Sequence, residues 1–141
     1  MARFFIYSVV FFLGWCLHAE AQKPDSVLPP SPRVITLDQG PTNYMRILGG
    51  PPETSTMRSG LVQLAPGASV GAHNTEKYEE MLIVLNGSGE MIITGGSRLP
   101  IGKGKVAYCP PHTGHDVLNT GSDTLRYIYV VAEAKAQRKT K

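Results

Sequence analysis

The sequence predicts an all-β domain in the form of a small barrel or sandwich. Before Ala132, no stretch combines a helical period of apolar residues with helix-capping residues. Short runs of β-forming residues recur at close spacing, and turns rich in Gly and Pro separate them. The chain has 141 residues, which is enough for one such domain with its own hydrophobic core.

The N-terminal segment, residues 1–21, is predicted to be a cleavable signal peptide. Arg3 supplies a positive charge, residues 4–17 are almost wholly apolar, and residues 19–21 fit a small-residue cleavage site. The apolar run is shorter than the roughly twenty residues of a spanning helix, so we expect no stable membrane span. A lipoprotein anchor at Cys16 is the weaker alternative, because a bulky residue precedes it. We therefore expect a secreted or periplasmic protein.

The rest of the chain divides into three parts by composition. Residues 22–40 are rich in proline and form an arm or linker, residues 41–134 form the barrel, and residues 135–141 are a basic tail. The tail carries four positive charges, more than the whole net charge of +3, so this charge does not indicate a nucleic-acid partner. Once the signal peptide is removed, Cys109 is the only thiol, which excludes an intramolecular disulfide. We expect Cys109 to be a buried small residue and not a nucleophile.

Ten strands are predicted from the alternation of apolar and polar residues and from the turns between them. The segment 66–87 begins with a turn at Pro66-Gly67 and continues with a strand, a short bend and a second strand, which ends in a turn at Asn86-Gly87. The remaining predicted strands are residues 33–37, 43–48, 55–64 (interrupted at Gly60), 88–94, 98–101, 106–109, 115–118 and 124–132.

Two segments carry the residues that can do chemistry. The first, residues 66–87, places His73 seven residues before Glu80. The second, residues 104–119, delivers His112 and His115 after a Pro-Pro turn. We expect these segments to face each other across the barrel.

The first segment resembles the first motif of the cupin superfamily, which has Gly, five residues, His-x-His, three or four residues, Glu, six residues and Gly. Here Gly67, His73, Glu80 and Gly87 match that spacing, and Thr75 replaces the second His. The resemblance implies a double-stranded β-helix, also called a jelly-roll barrel.

The second segment resembles the second cupin motif, which has Gly, five residues, Pro-x-Gly, two residues, His, three residues and Asn. Here Gly104, Pro110, His115 and Asn119 match, and His112 stands where Gly is usual. The two motifs stand in the right order, and the resemblance covers roughly residues 57–132. A fold of this kind supports many reactions and does not identify one.

The resemblance implies a divalent metal held by His73, Glu80 and His115. Two imidazoles and one carboxylate suit iron, manganese or zinc and leave coordination positions open for water and substrate. The predicted mature chain has three histidines, and all of them lie in the two motifs. Strand alternation puts Glu79 on the opposite face from Glu80, so only one of these two carboxylates can face the barrel.

Thr75 leaves two interpretations open. The missing fourth ligand could free a position where substrate binds the metal, or it could weaken metal binding until the domain holds none. Glu76, Glu79 or His112 could compensate. His112 is expected at the barrel mouth, as a rim residue or a proton shuttle. Asn119 is expected to organise the turn that follows its strand.

Five larger side chains are candidates for lining the barrel: Tyr108, Tyr127, Tyr129, Met81 and Leu85. Core packing is the default role for each of them. We assign no catalytic residue from the sequence.

The expected function is that of a metal-dependent enzyme that acts on a small molecule. Oxygenase activity is the first expectation, and isomerase or lyase activity is the other. The alternative is a non-catalytic module that binds a small molecule or a sugar. The resemblance also implies a homodimer, because cupin barrels often pair through an N-terminal strand and the outer face of a sheet, and residues 33–37 resemble such a strand.

Overall fold

The computed structural model describes residues 30–38, 40 and 42–134, and these contain strands, turns and no helix. The predicted signal peptide and the basic tail lie outside the described residues. In the described part of the chain, no helix has the length and apolar character needed to cross a membrane.

Nine strands build two antiparallel sheets, so the predicted all-β jelly-roll barrel is confirmed. The five-stranded sheet has the order β1-β2-β9-β4-β7, and the four-stranded sheet has the order β3-β8-β5-β6. The strands are β1 Tyr44–Gly49, β2 Arg58–Leu64, β3 His73–Asn74, β4 Tyr78–Asn86, β5 Ser88–Ile93, β6 Arg98–Gly102, β7 Val106–Cys109, β8 Gly114–Leu118 and β9 Leu125–Glu133.

The hydrophobic core lies between the inner faces of the two sheets. Because side chains alternate along a strand, every second residue of the long strands points into it. The buried members of this core are Val62, Leu64, Leu82, Val84, Met91, Ile101, Cys109, Val117, Leu125 and Tyr127.

The prediction that Met81 and Tyr108 line the barrel is wrong. On β4, Met81 stands next to the buried Leu82, and on β7, Tyr108 stands next to the buried Cys109. Since neighbouring side chains of a strand point to opposite faces, Met81 and Tyr108 point outward, and they pair with each other across β4 and β7. The Tyr108 hydroxyl donates a hydrogen bond of 3.0 Å to Glu79, which also lies on the outside. Leu85 is half-buried and does not belong to the core cluster.

The predicted strand at residues 33–37 is also wrong, because this segment pairs with none of the described strands. Side chains attach it to the barrel at two points: Arg33 forms an ion pair with Glu53, and Arg126 donates a hydrogen bond to the carbonyl of Leu37. Alternation alone indicated a strand, but a strand also needs a backbone partner for its amides and carbonyls.

At the end of the barrel where the apolar side chains meet, Asn119 is almost fully buried and organises the following turn, as predicted. Its side-chain amide donates hydrogen bonds to the carbonyls of Leu64 and Asp123, and its oxygen accepts one from the amide of Gly121. These bonds join β2, β8 and the loop before β9, and they close this end of the barrel.

Candidate metal centre

Three side chains from three strands meet at one point between the sheets. His73 on β3 lies directly opposite His115 on β8 in the antiparallel ladder, and Glu80 comes from β4 of the other sheet. The Glu80 Oε2 atom is 3.7 Å from the Nε2 of His73 and 3.4 Å from the Nε2 of His115. The three ligand atoms all lie within 4.8 Å of one another. The structure therefore brings together the three residues that the resemblance implied as ligands.

Both imidazoles are oriented through their Nδ1 atoms. The Nδ1 of His73 is 2.9 Å from the carbonyl oxygen of Gly71 and donates a hydrogen bond to it. The Nδ1 of His115 is 3.3 Å from the sulfur of Cys109. A partner on one ring nitrogen fixes the ring and leaves the other nitrogen to act as a ligand. In both residues that second nitrogen is Nε2, which faces Glu80.

The donor set fits a divalent metal. The Nε2 atom of His115 is buried and has no hydrogen-bond partner among the described residues, which is an unfavourable state for a polar atom in a protein interior. Metal bonds of about 2.1 Å in tetrahedral or octahedral geometry would separate neighbouring ligand atoms by about 3.0–3.4 Å. The observed separations from Glu80, 3.4 and 3.7 Å, are close to that range. His73, Glu80 and His115 could thus hold a metal after small side-chain adjustments.

Charge and burial act on the ionisable groups of this cluster. The Glu80 carboxylate raises the pKa of His115 above its ordinary value of 6.5, although burial of the ring acts in the opposite direction. Burial raises the pKa of the Cys109 thiol, and the Glu80 charge adds to that rise. Cys109 is fully buried, as predicted. Its contact with His115 was not predicted.

Thr75, which replaces the second motif histidine, uses its hydroxyl for structure. The Oγ1 atom donates to the carbonyl of Pro110 at 2.8 Å and accepts from the amide of Thr113 at 2.9 Å. The backbone of Thr75 also donates to the carbonyl of Thr113. The side chain lines the same cavity as His73, but these bonds connect the turn before β4 to the turn before β8. In this chain, position 75 holds two turns together.

Among the residues considered as replacements for the missing histidine, none belongs to the cluster. Glu76 and His112 are exposed in the two turns, and both have left-handed backbone conformations, with φ of 51° and 58°. The amide of His112 donates a hydrogen bond of 2.7 Å to the carbonyl of Glu76, so these residues add a further connection between the turns. Glu79 points outward, as the alternation argument predicted.

A cavity of about 420 Å³ adjoins the cluster and opens to solvent. Tyr127 and Tyr129 line it, as predicted for two of the three tyrosines, and burial raises the pKa of both phenols. The full lining is Tyr44, Arg58, Val62, Val70, His73, Asn74, Thr75, Tyr78, Glu80, Tyr127, Tyr129 and Val131.

Sequence reasoning missed several of the lining residues, among them Tyr44, Arg58 and Tyr78. The alternation in β2 is ambiguous, since Leu61 and Val62 are both apolar and point to opposite faces. Counting back by twos from Leu64, which lies in the core, would have placed Arg58 on the inner face.

Comparison with known proteins agrees with the fold. Residues 60–131 match the family model described as the cupin domain. Over 70 residues, the chain is 33% identical to an oxalate-binding protein of Thermotoga maritima, and the match covers 50% of this chain. It spans 57% of that relative's length.

Two solved structures have the same fold as this chain and are identical to it at more than a quarter of the aligned residues. One is a predicted oxalate decarboxylase from Thermotoga maritima, 27% identical, with a TM-score of 0.60 over 64% of this chain and 79% of that one. The other is a cupin 2 conserved barrel domain protein from Salinispora arenicola, 26% identical, with a TM-score of 0.60 over 74% and 91% of the two chains. With a family model that matches half its length, two cupin-type motifs and a jelly-roll barrel, the chain belongs to the cupin family.

Proposed function

We propose that this protein binds one divalent metal through His73, Glu80 and His115 and acts on a small organic acid in the adjoining cavity. The observation that carries the proposal is the cluster itself: three convergent ligand atoms, one of them buried and without a hydrogen-bond partner, at the wall of an open cavity. A bound ion of this kind supplies Lewis-acid polarisation of a ligand oxygen, and iron or manganese adds redox chemistry.

The chain's own residues shape what can approach the site. His73 is partly exposed, with 45% of its side chain accessible, whereas Glu80 and His115 are buried, so a ligand would enter from the His73 side. The cavity wall is mainly aromatic and aliphatic, which suits a small organic molecule. The size of the cavity favours a small ligand over a macromolecule.

The metal site is tested by elemental analysis and by metal titration of the wild type, His115→Ala and Glu80→Gln. We expect one equivalent in the wild type and a large loss of affinity in both variants, because two protein ligands rarely retain a metal. Equal metal content in the wild type and both variants would contradict the site. The exposed His112→Ala variant is the matched control, since His112 lies outside the cluster and should leave the affinity unchanged.

Turnover separates an enzyme from a binding protein. The relative named an oxalate-binding protein favours the second candidate, a non-catalytic module that holds a small acid. We expect the metal-loaded wild type to consume a carboxylic acid substrate and Glu80→Gln to be inactive. The loss of substrate is measured by NMR. Tight binding of oxalate without any consumption of this or other short organic acids would favour the binding module.

We also propose that the protein is exported and that the signal peptide is removed near Ala21. The motivation is the short apolar segment and the small residues that follow it. Mass spectrometry of the exported protein should find Gln22 or a close neighbour at the N-terminus. A retained Met1, or a lipid on Cys16, would argue against this processing.

A homodimer remains our proposal for the oligomeric state. The arm carries Val34, which is 97% exposed in the single chain and would be covered if the arm packed on a second copy. Light scattering of the mature protein should give a dimer, and deletion of residues 22–40 should give a monomer. A monomer in both cases rejects the proposal.

A further inference from the structure

We infer that the cavity contains a second, cationic subsite built on Arg58, which receives one carboxylate of a short dicarboxylate while the other carboxylate reaches the metal centre. This inference rests on the proposed metal-dependent function and names the class of its ligand. It is carried by the position of Arg58, its lack of a carboxylate partner, and the aromatic groups around it.

The sheet register puts Arg58 in line with the cluster. Arg58 on β2 pairs with Val131 on β9, and Val131 pairs with Glu80 on β4. Neighbouring strands lie about 4.8 Å apart, so the backbones of Arg58 and Glu80 are about 10 Å apart, and both side chains line the cavity. Two charged groups at this backbone separation favour a ligand with only a few carbon atoms over a longer one.

The Arg58 guanidinium is held by an aromatic ring and not by an acid. Its central carbon lies 4.6 Å from the centre of the Tyr78 ring, which is a cation–π contact. Among the described residues, no carboxylate forms an ion pair with Arg58. Lys77 lies 5.4 Å from the same ring but is paired with Glu133 at 2.9 Å. Of the two cations beside Tyr78, Arg58 is therefore the one whose charge is available for a ligand.

A pair of tyrosines adds hydrogen-bonding capacity to the same wall. The hydroxyls of Tyr44 and Tyr129 are 3.0 Å apart and their rings are stacked. One hydroxyl donates to the other, so the accepting tyrosine keeps its own proton for a ligand oxygen. Gly60 gives these rings their place, because a Cβ at this position would lie 2.6 Å from Tyr129 and 2.8 Å from Tyr44.

The balance of charge favours a dianion. A divalent ion with the Glu80 carboxylate and two neutral imidazoles has a net charge of +1, and Arg58 adds a second positive charge across the cavity. A planar guanidinium also matches a carboxylate through two parallel hydrogen bonds, which a lysine cannot provide. A dicarboxylate such as malonate or succinate would satisfy both charges, whereas acetate would satisfy one.

The test is calorimetric binding of malonate, succinate and acetate to zinc-loaded wild type, Arg58→Met and Lys77→Met. We expect Arg58→Met to weaken malonate or succinate binding by roughly tenfold to a hundredfold, as for a lost charge-assisted hydrogen-bonded pair. Acetate binding should change less than about twofold, and the zinc affinity should be the same in all three proteins. Lys77→Met is the matched control, because it removes a cation beside the same ring without altering the cavity wall.

Two results would overturn the subsite: equal weakening by the two substitutions, or dicarboxylates that bind no more tightly than acetate. If Arg58→Met does not fold, Arg58→Lys is measured in its place. This variant keeps the charge but not the planar group, so its affinity for the dicarboxylates should fall by less than in Arg58→Met. If the wild type holds no metal, the proposed function fails, and the subsite is then read from NMR shifts of the metal-free protein with malonate. Shifts that vanish in the Arg58 variants support it, and their absence in the wild type rejects it.

Discussion

The two ends of the barrel are built from the same strands but do different work. Along the inner face of β4, Val84 and Leu82 are buried in the apolar core, and Glu80 and Tyr78 then line the cavity. The same change occurs along β2, from Leu64 at the closed end to Arg58 at the open end, with Val62 belonging to both. Apolar burial at the closed end provides stability, and this allows the open end to hold polar groups that are not fully satisfied. On β4, the core residue Leu82 and the cavity residue Glu80 are therefore only two positions apart.

Glu80→Gln should have the largest effect at the open end. The change keeps the volume of the side chain but removes the charge, so the affinity for a divalent metal should fall by more than the 10–100-fold that is typical for loss of an outer partner. The metal-free protein should remain folded, because the core is unchanged. Equilibrium metal titration and thermal unfolding of the metal-free protein check both parts. Unaltered affinity would show that Glu80 is not a ligand.

Leu82→Ala, only two residues further along β4, should lower the stability of the fold and leave metal binding unchanged. Leu82 is fully buried, and its truncation should lower the free energy of unfolding by about 2–5 kcal/mol. The metal stoichiometry of the molecules that remain folded should not change. Denaturant unfolding measures the first quantity and elemental analysis the second. A loss of metal from folded Leu82→Ala protein would contradict the separation of the two ends.

Thr75→Val tests the turns that frame the open end. The substitution keeps the shape but removes the hydroxyl that bonds to Pro110 and Thr113, so unfolding should become easier by about 1–3 kcal/mol. The exposed Thr120→Val is the control and should change stability by no more than about 0.5 kcal/mol. An equal, small effect at both positions would mean that the bonds of Thr75 contribute little.

Cys109→Ala should weaken metal binding about tenfold, the lower end of the range for a partner of a ligand. The thiol contacts Nδ1 of His115, and without it the ring loses its orientation. The affinity is measured by competition with a chelator of known strength. Rescue by Cys109→Ser, which restores a hydrogen-bonding atom, would separate positioning of the ring from packing.

The smallest effect concerns pH. The pKa of His115 is raised in the folded protein, so the charged ring stabilises the metal-free state fully below the unfolded value of 6.5. That contribution is lost as the pH rises through the folded pKa. Metal binding needs the neutral ring and should strengthen over the same interval. Thermal unfolding with and without metal should therefore show opposite trends across it, and parallel trends would contradict this coupling.

The sequence was most informative where residue identity is tied to chemistry. The two motifs predicted the barrel, and the resemblance that they carry implied that His73, Glu80 and His115 would meet. Features that depend on strand register were less accessible: Arg58 joins the cavity through β9, and Cys109 reaches His115 across the gap between the sheets. Met81 and Tyr108 were misplaced for the same reason. When successive residues of a strand are all apolar, the sequence does not show which of them face the core.

The cluster also bears on how the barrel is held together. His73 and His115 belong to the four-stranded sheet and Glu80 to the five-stranded sheet, so an ion bound to all three would be a cross-link between them. With no second thiol after the predicted signal peptide, the ion would take the place that a disulfide has in many exported domains. Its contribution would grow with the free metal concentration, by mass action. Because β3 has only two residues, its detachment from β8 would withdraw His73 alone, and this local opening would govern how fast the ion leaves.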